Sequence, residues 1–154
     1  MKARVVEPWL LEPVERFVRE SGARLTLIMT PSGQVLAQYG FTRAVEVMAA
    51  AALGAGIAAS TGEIVRMLEE PAFQALNHQG AAHGIFLGQF DSPRGGLLAL
   101  VVYGADTSIG LVQLFFEDLV ADLASAAPAA PPRGPVLAAD FERDLNQSLA
   151  TLFR

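Results

Sequence analysis

Val47 to Gly62 reads VMAAAALGAGIAASTG, a run without a charge built mostly from alanine and glycine. Alanine is the strongest helix former, so the run predicts a helix. Its side chains are small enough for another backbone to approach closely, which marks it as a contact surface rather than as core filling. Working outward, the helical pattern extends from about Ala44 to Glu69, with Pro71 closing it. Leu53, Ile57, Ile64 and Leu68 fall on one stripe, expected to hold the helix to a sheet. Ala52, Gly56, Ala59, Glu63 and Arg66 fall on another. At ~1.5 Å per residue this helix runs roughly 40 Å, the longest element of the chain. The uncharged run falls short of the ~20 residues that a bilayer requires, and Ala and Gly are poor substitutes for Leu and Ile there.

On the N-terminal side, Leu10, Leu11, Val14, Phe17 and Val18 recur at helical spacing within Pro8–Glu20, and Ser21-Gly22 supplies the stop. Ala23–Thr30 and Gln34–Tyr39 are β-prone runs around Pro31-Ser32-Gly33, which predicts an antiparallel hairpin. Beyond the long helix, Ala75–Ala81 is a weak strand, whereas Ile85–Phe90 and Leu97–Tyr103 are strong ones joined through Asp91–Gly96. Asp106-Thr107-Ser108 then offers N-cap side chains to a helix over Ile109–Ala124, with Val112, Phe115, Leu119 and Leu123 on its buried stripe. Crossover units are missing, so the order predicts an α+β fold with a five-stranded antiparallel sheet, the long helix on one face and two helices on the other.

Residues 1–124 are expected to form this domain. Ser125–Pro135 (SAAPAAPPRGP) reads as an extended proline-rich linker. Residues 136–154 form a tethered amphipathic helix with Phe141, Leu145 and Leu149 on one face, opposite Glu142, Arg143, Asp144 and Asn146. Its groove belongs either to its own domain or to a partner, and the proline tether favours the partner.

Composition narrows the function. At 154 residues with 52% hydrophobic and 18% charged residues, the chain carries more apolar surface than one small domain buries, which points to self-association. A net charge of −5 with scattered cations offers no patch for phosphate, so nucleic acid is not an expected partner, nor is a membrane. The absence of cysteine excludes disulfides and thiolate metal sites, and the N-terminal MKARVVEPW lacks a signal-peptide core, so the expected location is the cytoplasm.

No constellation carries catalysis. Gly54-Ala55-Gly56-Ile57-Ala58-Ala59 spells the G-x-G-x-x-A dinucleotide fingerprint, yet that motif needs a preceding strand and a helix that opens at it. Here helix pattern precedes it, so a dinucleotide enzyme is the weaker reading. His78 and His83, the only histidines, make a poor metal site without a carboxylate or thiolate. Ser60 and Thr61 have no adjacent base, and Glu117, Asp118 and Asp122 should lie on the solvent side of their helix. There is no P-loop. No cofactor or metal is expected.

The element order, with Leu53–Ala59 on the long helix, Ile64-Val65-Arg66-Met67-Leu68 running into Phe73 and His78-Gln79-Gly80, the strand Leu97–Tyr103, and Asp106–Val112, resembles the roadblock/dynein light-chain superfamily. Within it, the chain resembles the bacterial MglB family over about residues 8–125. The resemblance implies a homodimer whose long helices lie side by side and whose edge strands join the two sheets. It implies that the helix face binds a small Ras-like GTPase of the MglA type and stimulates its hydrolysis by positioning the GTPase's own residues, in cell polarity and gliding motility. The chain is then a regulator rather than an enzyme. Carried over, the partner face is Ala52, Ala55, Gly56, Ala59, Glu63 and Arg66, with Phe141, Leu145 and Leu149 of the C-terminal helix as a second contact that promotes exchange. Glu63 and the helix end Glu69-Glu70-Pro71 depart from the family pattern, which is small and neutral at the first and glycine-containing at the second. The alternative is a roadblock scaffold of a signalling or motility complex.

Overall fold

The computed structural model describes residues 2–71, 74–128 and 135–152. A short strand β1 (Arg4–Val5) leads through a 3-10 turn (Pro8–Leu10) into α1 (Leu11–Ser21). Pro13 sits in the first turn of α1, where its missing N–H costs no internal bond. Gly22 ends the helix in the left-handed region at φ 73°, and its N–H donates to the Val18 carbonyl at 3.0 Å. The hairpin β2 (Leu25–Met29) and β3 (Val35–Tyr39) follows, then α2 (Ala44–Met67), β4 (Ala75–Gln79), β5 (His83–Ser92), β6 (Gly95–Gly104), α3 (Ile109–Ala126) and α4 (Pro135–Leu152).

The strands form one antiparallel sheet of six in the order β1-β3-β2-β6-β5-β4. The strand absent from the sequence reading is β1, whose two residues carry too little pattern to be seen. The β5–β6 hairpin is tighter than the Asp91–Gly96 loop expected. Pairing continues to Ser92 opposite Gly95, where a φ of 111° suits glycine alone. The weak strand Ala75–Gln79 is held as an edge by Tyr103. Its hydroxyl lies 2.9 Å from Asn77 Oδ1 and 3.1 Å from Gln79 Oε1, to one of which it donates. Its ring lies against Gly84, where a Cβ would come within 2.1 Å.

Alternation along the strands divides the core into two layers. Ile28, Ala37, Phe86, Ala99 and Val101 face α1 and α3, meeting Val14, Phe17, Val112, Leu119 and Leu123. Leu27, Met29 and Leu98 face the other way and meet Val47 and Ala51 of α2. Among the described residues of the core, the long helix is the element that packs on this face of the sheet. Two ties fix α1 to α3: Thr107 Oγ1 donates to the Ser21 carbonyl at 2.8 Å, and Arg16 pairs with Asp122 at 3.2 Å. Asp122 is thus half-buried in an ion pair, whereas Glu117 and Asp118 are exposed as expected. Ser108 caps α3, accepting from the Leu111 N–H at 3.3 Å.

Candidate functional site

The surface that sets this chain apart is α2. It lies on the sheet through Val47, Ala51, Gly54 and Val65, four of its 24 residues. Gly54 is the point of closest approach, since a Cβ there would meet Met29 Cε at 3.2 Å and Leu100 Cδ2 at 3.6 Å. The expected sheet-facing stripe is a correction: Leu53, Ile57, Ile64 and Leu68 are 69, 39, 54 and 63% exposed. The sequence reading gave the core to the largest apolar side chains. The sheet instead receives Val47, Ala51, Gly54 and Val65, because α2 is apolar around most of its circumference and close packing selects Ala51 and Gly54 at the nearest approach.

The expected partner face is largely outside. Ala52, Gly56, Ala59, Glu63 and Arg66 are exposed, and a Cβ on Gly56 would meet nothing within 4 Å. Ala55 is half-buried, near the β2–β3 turn at Gly33. Glu63 and Arg66 form an intrahelical ion pair. Arg66 also lines a cleft of about 320 Å³ between the end of α2 and β4–β5, with Ala58, Val65, Leu76 and Leu87. On the free side of the sheet, Ile85 is exposed beside the edge strand β4. Sequence reasoning missed that the bulky stripe is a surface. The available signal was a long helix with too little polarity to reveal one buried face.

Several other candidates dissolve. Gly54–Ala59 sits in mid-helix, where backbone amides belong to the helix ladder, so the dinucleotide spelling has no phosphate cradle. His83 Nε2 accepts from Arg24 Nη1 at 3.2 Å on an exposed strand end, His78 of β4 lies opposite Ile85, and no metal-ligand cluster occurs among the described residues. α2 is long and apolar enough to cross a membrane by length and composition alone. In α4, Leu145 and Leu149 are exposed at 48 and 42%; the side chain of Phe141, and Phe73, lie outside the described residues.

The pattern of the Roadblock/LC7 domain matches residues 10–103, from the start of α1 through β6. The chain belongs to the Roadblock/LC7 domain family. Among solved structures, this roadblock chain is similar to the gliding protein MglB of Thermus thermophilus at 29% identity and TM-score 0.66, over 77% of this chain and 88% of that one. It is similar to MglB with tetrameric arrangement at 28% identity and TM-score 0.64, over 75 and 85% of the two chains. Myxococcus xanthus MglB shares the fold at 23% identity and TM-score 0.64, over 71 and 87%. No curated protein matches significantly. The roadblock match ends at β6, so α3 and α4 lie beyond it.

Proposed function

We propose that this roadblock protein is a cytoplasmic homodimer that binds a small Ras-like GTPase of the MglA type through α2 and regulates its nucleotide state, without catalytic residues of its own. The observation that carries the reading is the double exposure of α2, with a bulky stripe on one flank and a flat small-residue stripe beside it. The bulky stripe, Leu53, Ile57 and Ile64, is exposed, as is Ile85 beside the edge strand β4. A second copy would cover these together and join the two sheets. Burying such side chains contributes about 1.5–3 kcal/mol each, so a dimer is the economical destination for them. Ala52, Gly56 and Ala59 then remain outward as a smooth seat for switch segments, with Glu63 and Arg66 at its end. Leu145, Leu149 and Phe141 of the tethered helix supply a second contact. The regulation is positional: the dimer orders the GTPase's own groups around the phosphate. Polarity or gliding motility is the process this role fits.

A scaffold that binds without changing hydrolysis is the second reading, favoured by the charged pair Glu63–Arg66 on an otherwise neutral seat. Multiple-turnover GTP hydrolysis by the GTPase, with and without equimolar full-length protein, decides between them. The regulator reading expects a rate rise of tenfold or more. An unchanged rate with retained binding selects the scaffold.

A further inference from the structure

At the end of the sheet opposite β4, α2 and the β1–β3 edge enclose a groove of about 570 Å³, lined by Val5, Val6, Val35, Leu36, Val47 and Met48, with Ala52 at its far end. Its apolar walls are open to solvent: Val6 and Met48 are 61 and 72% exposed, and neighbouring Val45 is exposed as well. We propose that this groove is the docking site for the α4 helix of the same chain. Three observations point to that occupant.

The tether begins at the right place. Ser125 and Ala126, at the end of α3, share a cleft with Pro8 and Trp9, and these follow Val5 and Val6 of the groove wall by only a few residues. Residues 127–134 link α3 to α4, and a connection of that length reaches at most roughly 26 Å. Docking would have this connection pass around the two-residue edge strand β1. The shapes also correspond. α4 presents Leu145, Leu149 and Leu152 at helical spacing, all exposed, and an amphipathic helix laid in an apolar groove uses such anchors. Finally, the charges are complementary. Arg4 lines the groove and Lys2 lines the adjoining cleft, while the sequence of α4 carries Asp140, Glu142 and Asp144 against the single cation Arg143.

Docking needs no GTPase. One consequence does rest on the GTPase reading: Ala52 belongs both to the groove and to the proposed partner seat, so a docked α4 and a bound GTPase exclude each other at that end of α2. The chain has no cysteine, so introduced pairs report cleanly. In the full chain without partner, oxidation of Met48→Cys with Ser148→Cys should give an intramolecular disulfide at a rate independent of protein concentration. It should form at least tenfold faster than Glu70→Cys with Ser148→Cys, and Val6→Glu should slow it to that control rate. Equal rates for the two pairs overturn the proposal, as does a disulfide that forms only between chains. Addition of GTP-loaded GTPase should then slow the Met48–Ser148 reaction. If docking is established but this last step leaves the rate unchanged, the exclusion fails while the docking stands.

Discussion

At Glu69 the chain adopts a left-handed conformation, φ 56°, in a residue that carries a Cβ. The Glu69 and Glu70 amides donate back to the carbonyls of Arg66 and Val65 at 3.3 and 3.2 Å, the paired bonds of a Schellman ending. Such a site favours glycine, so Glu69→Gly should stabilise the protein by about 1 kcal/mol, read as a higher urea midpoint with unchanged slope. Two glycines further back answer in opposite senses. Gly54 rests against Met29 and Leu100, and Gly54→Leu should cost about 1–3 kcal/mol through overpacking. Gly56 faces open space, and Gly56→Ala should gain up to about 1 kcal/mol from helix propensity. Equal and strongly negative effects at both would contradict the packing described for α2. The glycine-rich spelling was legible in the sequence, but which glycine touched the sheet was not. That depends on helix rotation, and apolar residues cover most of the helix surface.

Among the elements, those with strong local signals were legible to within a few residues: the Gly22 stop, the Pro31–Gly33 turn, the Ser108 cap and the β-branched run of β6. β4 is different in kind. Ala75–Gln79 has little intrinsic strand preference, and its order comes from pairing with β5 and from the Tyr103 hydroxyl. Tyr103→Phe should therefore cost about 1 kcal/mol and speed amide exchange in β4 while leaving β2 and β3 protected. Uniform acceleration across the sheet would mean that β4 is not a separate, weakly held edge. For α2 the large apolar stripe was visible, but its outward placement was not, since periodicity alone does not say which apolar face of an all-round apolar helix meets the sheet. Ile64→Glu should convert the proposed dimer to a monomer in sedimentation with helical content unchanged, because Ile64 is exposed in the isolated fold. A variant that unfolds would place Ile64 in the core after all.

For the whole molecule, one sheet carries α1 and α3 on one side and, among the described residues of the core, α2 on the other, so the chain has a closed face and a face suited to assembly. Membership of the Roadblock/LC7 family explains the architecture, and the exposed stripes of α2 give it something to bind. The central claim is that the small-residue seat receives a Ras-like GTPase. Calorimetry with a GTP-loaded GTPase of the MglA type, using the full-length protein and Ala59→Arg, tests it most directly. Ala59 is exposed, so the arginine should leave the dimer and its melting temperature intact while weakening binding by a hundredfold or more. Equal affinity for the two proteins, or no binding by either, would contradict the account.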